Sequence, residues 1–127
     1  MPRRLLIAVL AGLASGLVAA GCYGPPAPDV AICRDIITRL CIGPVCTSTQ
    51  AALNVPEDGC ETELLARTGC GSEEFAFTTP ERPRVLQCRK PLIRVSASTY
   101  VKAPCPDVDE MFATCPDMTA FLNGVKP

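Results

Sequence analysis

Residues 30 to 41 read Val-Ala-Ile-Cys-Arg-Asp-Ile-Ile-Thr-Arg-Leu-Cys, and residues 42 to 46 continue Ile-Gly-Pro-Val-Cys. In the first stretch Ile32, Cys33, Ile36, Ile37, Leu40 and Cys41 recur at spacings of three and four, while Arg34, Asp35, Thr38 and Arg39 fall on the opposite side. That is the signature of an amphipathic helix with one buried stripe, and it predicts that the charged residues face away from the core. Pro28 and Asp29 suit its start, and Gly43-Pro44 ends it. Two cysteines eight positions apart on one helix lie about 12 Å apart along its axis. They are too far apart to bond each other, so Cys33 and Cys41 must each reach another segment. The stretch therefore predicts a helix stapled to the rest of the fold at two places.

Outward from it, the coarse pattern stays helical. A second helix is expected after Val55-Pro56, with Glu57 and Asp58 near its start and Cys60, Leu64, Leu65 and Arg67 leading to Gly69. A third is expected over Pro83 to Lys90, ended by Pro91. From Leu92 to Val101 apolar and polar residues alternate as in a strand, yet a lone strand has no partner for its backbone groups. A loop, or a helix continued past Pro91, fits that stretch as well. Asp107 to Cys115 presents Val108, Met111, Phe112 and Cys115 on one side, and Pro116-Asp117 restarts a short helix with Met118, Phe121 and Leu122 before Gly124. Cys60 to Cys70 and Cys105 to Cys115 each frame a helical segment, without similarity between the residues enclosed. The fold class is all-α or mainly α: a small disulfide-rich domain of about four short helices over residues 30 to 127.

The N-terminus reads Met-Pro-Arg-Arg, then an apolar run from Leu5 to Leu17, then Val18-Ala19-Ala20-Gly21-Cys22. Two positive charges followed by an apolar segment of about 13 to 16 residues and small residues have the layout of an export signal over residues 1 to 21. The apolar run is short for a membrane span, which needs roughly 20 residues. Small residues at 19, 20 and 21 directly before a cysteine resemble the bacterial lipoprotein signal, or lipobox, although Ala19 stands where that family usually has a larger aliphatic residue. The resemblance implies cleavage before Cys22 and attachment of lipid to its thiol, hence an anchor in a membrane. Tyr23-Gly24 after the cysteine, in place of Asp, implies by the same resemblance the outer membrane or the cell surface. Ordinary cleavage after Ala20 would instead give a secreted or periplasmic protein. Residues 22 to 29, with Pro25, Pro26 and Pro28, read as an extended tether.

Cysteine arithmetic points the same way. The chain has nine. If lipid consumes Cys22, an even set remains: Cys33, Cys41, Cys46, Cys60, Cys70, Cys88, Cys105 and Cys115. These can close four disulfides in an oxidising compartment, with 105 conceivable pairings among which the sequence does not choose. No Cys-x-x-Cys pair occurs and histidine is absent, so the common zinc, haem and redox motifs are missing and no metal or cofactor is expected. The lack of histidine also removes Ser-His-Asp and Cys-His catalysis, and carboxylates such as Asp107, Asp109 and Glu110 suit the front of a helix better than acid–base work.

Charge is laid out in blocks. Without Arg3 and Arg4 the chain carries ten basic and thirteen acidic side chains, a formal charge of about -3, which argues against nucleic acid. The charged residues from 57 to 74 are acidic except Arg67, whereas Arg82, Arg84, Arg89, Lys90, Arg94 and Lys102 follow without an intervening acid. Such blocks either compensate one another inside the fold or form a patch for a partner. Arg82, Arg84, Arg89, Lys90, Arg94 and Tyr100 are the candidate partner surface. The expected function is non-enzymatic: an envelope lipoprotein serving as an interaction or structural accessory subunit of a protein complex. The alternatives are a carrier of a hydrophobic ligand held within the stapled helices and a small secreted inhibitor or effector.

Overall fold

The computed structural model describes residues 26–126; the expected leader, Cys22 and the tether as far as residue 25 lie outside the described residues. Six α-helices follow in order: α1 Asp29–Cys41, α2 Thr47–Leu53, α3 Cys60–Thr68, α4 Arg82–Arg89, α5 Cys105–Thr114 and α6 Pro116–Leu122. A 3-10 turn over Lys90–Ile93 extends α4, and no strand occurs among the described residues. The domain is mainly helical, as the periodicity predicts, and α2 is the one helix that the apolar pattern does not announce. No described helix is long and apolar enough to cross a membrane.

Local chemistry sets the ends. The Pro28 carbonyl accepts the first free amides of α1, from Ala31 and Ile32. Gly59 and Gly69 bracket α3 at φ 90° and 80°, a left-handed conformation that only glycine adopts without strain. Glu61 and Glu63 sit in its first turn and Arg67 in its last, matching the helix dipole at both ends. Prolines occupy the first turn of α4, α5 and α6, where a missing N–H costs no hydrogen bond. The stretch after α4 resolves as a 3-10 turn and then an irregular loop to Pro104, in keeping with the lack of a strand partner.

Four disulfides tie these pieces together: Cys33–Cys70, Cys41–Cys60, Cys46–Cys105 and Cys88–Cys115, with Cα atoms 5.6–6.0 Å apart. The first two are nested. Cys33, in the second turn of α1, joins Cys70 two residues past α3, and the end of α1 joins the start of α3, so the two helices run antiparallel under two staples. Arg34 reinforces the first by donating to the carbonyls of Cys70 and Gly71 and to Glu73. The third bridge fixes the approach to α2 against α5, which packs on α2, and the fourth joins α4 to the α5–α6 junction.

Between the helices lies an aliphatic core in which Ile36, Ile37, Leu40, Leu64, Met111, Met118 and Leu122 are no more than 1% exposed. At roughly 1.5–3 kcal/mol for each fully buried large aliphatic side chain, this core and the bridges together oppose the chain entropy of about a hundred ordered residues. Gly124 (φ 73°) lies so close to α3 that a Cβ there would come within 3.1 Å of the Arg67 carbonyl. Arg67 and Asn123 use that approach to donate to the last carbonyls of α2, those of Ala52, Leu53 and Asn54, groups that a helix end leaves without partners.

Candidate functional site

All seven arginines among the described residues donate hydrogen bonds within the chain, whereas Lys90, Lys102 and Lys126 form no ion pair there. The planar fork of a guanidinium suits fixed bidentate bonding and the flexible ammonium does not. The basic block is thus largely spent inside the fold. Arg82 pairs with Asp29, Arg84 with Asp117, Arg89 with Asp35, and Arg94 with Asp107 and Glu110. Of the six candidate partner-surface residues, Lys90 and Tyr100 stay exposed and outside these pairs, joined by Val95 and Val101.

Three of these pairs mark their carboxylates chemically. The backbone N–H of Phe77 donates to Asp29 at 2.9 Å, and that bond together with Arg82 holds the Asp29 carboxyl below its ordinary range, against the opposing effect of burial. Arg84 meets Asp117 through two bonds of 2.8 and 3.1 Å, lowering the Asp117 pKa in the same way. At the surface Arg94 grips Glu110 with two bonds of 2.7 and 2.9 Å and lowers its pKa too.

The deepest of the pairings corrects the sequence. Asp35 and Arg39, expected to face away from the core, are 8% and 2% exposed. Arg39 Nε donates to both carboxylate oxygens of Asp35 at 3.0 Å, and Arg89 reaches the same carboxylate at 2.8–2.9 Å. The rest of the Arg39 guanidinium points at the irregular loop after α4. It donates to the carbonyls of Ser96 at 2.6 Å and Thr99 at 3.0 Å, and more loosely to Leu92 at 3.5 Å. One buried cation on α1 thus takes the place of the missing strand partner for the 92–99 backbone. Above this network lies a pocket of about 220 Å³ whose wall includes Ala27, Ala97, Ser98 and Tyr100.

A second, larger concavity of about 460 Å³ lies on another part of the surface, between the end of α3, the 75–79 segment and the C-terminus. Its apolar wall is Phe75, Phe121, Ala76 and Val125, with Thr78 and Thr79 opposite and Lys126 at the rim. Phe75, Phe77 and Phe121 form one aromatic cluster with ring centroids 4.9–6.0 Å apart, the first two at 87°, a favourable edge-to-face geometry. Among the described residues the helical interior is occupied by its own aliphatic side chains, and both concavities lie at the surface.

Cys88, Cys115 and Asp117 bring a potential ligand trio within 4.8 Å, but the two sulfurs are bonded to each other and Asp117 is held by Arg84. A disulfide sulfur is not the thiolate that binds metal. Neither the pocket nor the groove was visible in the sequence, because their walls come from segments far apart in the chain. In comparison with known proteins, no family model, no curated protein and no solved structure matches this chain.

Proposed function

We propose that the chain is a non-enzymatic binding module of an extracytoplasmic compartment, tethered to a membrane through lipid on Cys22, that holds a small apolar ligand in the groove beside Phe75 and Phe121. The observation that carries the reading is the groove itself. At about 460 Å³ it falls in the range of roughly 300–1,000 Å³ usual for small-molecule sites, and Phe75, Phe121 and Val125 give it an apolar side beside threonines and two basic residues, Arg67 and Lys126. Four disulfides among eight cysteines support a compartment where thiols are oxidised. The lipobox resemblance supports an outer-membrane or cell-surface anchor.

Native mass spectrometry of delipidated, refolded protein offered a long-chain fatty acid tests this. One adduct is expected for the wild type and none for Ala76→Trp, which plugs the groove from an exposed position. Failure of the wild type to take up fatty acid, fatty alcohol or an aromatic dye would defeat the reading. The accessory-subunit reading keeps one specific foothold, the exposed Val95 and Tyr100, at 62% and 71%, on the loop that Arg39 pins. A protein partner would meet the module there, beside Lys90. Replacing Tyr100 and Lys90 with Ser should then release a purified envelope partner while leaving fatty-acid uptake unchanged.

A further inference from the structure

The network beneath the smaller pocket is not neutral. Arg39 and Arg89 converge on a single carboxylate, Asp35, leaving one positive charge in surplus. The neighbouring charges do not cancel it, because Asp29 on the same helix is matched by Arg82. A cation withdrawn from water is costly unless it is paired, and here the pairing is incomplete.

The two guanidiniums differ in what they have left to offer. Arg39 spends its donors on Asp35 and three loop carbonyls. Arg89 bonds Asp35 through Nε and Nη2, and its Nη1 donates to nothing among the described residues, while its side chain remains 18% exposed in the pocket wall. The Ser98 hydroxyl and the Tyr100 ring complete that wall on the loop side. Neither side chain makes a hydrogen bond among the described residues, unlike Ser96 and Thr99, which bond each other. The room, about 220 Å³, falls below the range for drug-sized ligands but suits a compact oxyanion.

We propose that this pocket binds a phosphate group, with the free edge of Arg89 as its principal contact and Ser98 and Tyr100 as neutral donors. Donors that come from a helix on one side and a loop on the other suit a tetrahedral oxyanion, with oxygens facing several ways, better than a planar carboxylate. Arg39 is a positioning residue: it holds the loop that carries Ser98 and Tyr100 and supplies charge from below. The site is separate from the Phe75–Phe121 groove and does not depend on it. Ala27, two residues before α1, forms part of the wall, and the phosphate can come from a free anion or from a lipid headgroup, sources that the test separates.

The test uses the non-lipidated chain with disulfides intact. Inorganic phosphate is titrated against chloride at constant ionic strength while the amide resonances of Ser98, Thr99 and Tyr100 and the Arg89 Nε–H are followed. Saturable shifts confined to this set are expected, with affinity weakened about tenfold or more in Arg89→Gln, the scale of one lost charge-assisted contact. Ala97→Trp, which fills the pocket from an exposed position and leaves the charge network whole, should abolish the shifts even if Arg89→Gln perturbs folding. A parallel arm adds vesicles of phosphatidylcholine with phosphatidylglycerol. Displacement of bound phosphate by the vesicles assigns the site to a headgroup, and its absence assigns it to a soluble phosphate. Linear shifts without saturation, or equal affinity in the wild type and Ala97→Trp, would overturn the proposal.

Discussion

The α1–α3 pair and the segment from Arg82 to Lys102 are held against the same core by different means. Two nested disulfides close the helix pair covalently. The later segment has one bridge, at Cys88, and no cysteine from there to Cys105. It is fixed instead by Arg39 reaching up from α1 and by its own arginines reaching down to Asp29, Asp35 and Asp117. The contrast teaches where this small domain is rigid and where it can respond. A covalent clamp answers to redox conditions, whereas a charge-pinned loop answers to pH and to anions, and the phosphate pocket lies under the pinned loop.

Removing the shared carboxylate should break the comparison most sharply. Asp35→Ala strands two guanidiniums, one of them buried, and is expected to cost about 3–5 kcal/mol, measured by urea unfolding. Amide exchange should rise first across residues 94 to 103. Exchange rising equally fast across α1 and α3 would mean that the loop is not separately pinned.

The disulfides sharpen the other side. In the chain-entropy description the Cys46–Cys105 bridge, spanning 59 residues, contributes about 4 kcal/mol, and Cys41–Cys60, spanning 19, about 3 kcal/mol. Paired Cys→Ala variants should differ by about 1 kcal/mol in that order. The reverse order would show that Cys41–Cys60 acts chiefly through the native clamp.

Acid should weaken the charged side by a smaller amount. Asp29, Asp117 and Glu110 have folded pKa values below their ordinary ones, so the folded state holds fewer protons than the unfolded chain. Their contribution is present above the ordinary carboxylate range near 4 and is lost as pH falls through the lower folded values. Melting temperature should therefore drop as pH falls below about 4, and Arg84→Gln should flatten that slope by releasing Asp117. A slope unchanged in Arg84→Gln would remove Asp117 from the account. The smallest effect belongs to Arg94→Gln. Its ion pairs with Asp107 and Glu110 are largely exposed, so the change in melting temperature should be marginal and vanish in added salt.

Much of the fold was legible because α1, α3, α5 and α6 carry an apolar stripe or terminal signals that local chemistry enforces. The impossibility of a Cys33–Cys41 bridge followed from helix geometry alone. Helix α2 was not legible. Thr47-Ser48-Thr49-Gln50 has no apolar period, and the helix buries Thr49 and Leu53 against α5 and α6 because Cys46–Cys105 places it there. Asp35 and Arg39 misled for a related reason: an acid and a base four residues apart on a helix look like a solvent pair. What buries them is a loop more than fifty residues away that lacks a partner for its carbonyls. The candidate sites depend on such distant joins, Ala27 with Tyr100 and Phe75 with Phe121, and no local pattern announces them.

The claim on which both halves rest is that eight cysteines close in one particular pairing. Non-reducing peptide mapping with fragmentation of the linked peptides tests it directly. The account expects Cys33–Cys70, Cys41–Cys60, Cys46–Cys105 and Cys88–Cys115 with no free thiol among the eight. Recovery of Cys60 joined to Cys70, or of Cys33 as a free thiol, would contradict the antiparallel clamp and the fold built on it.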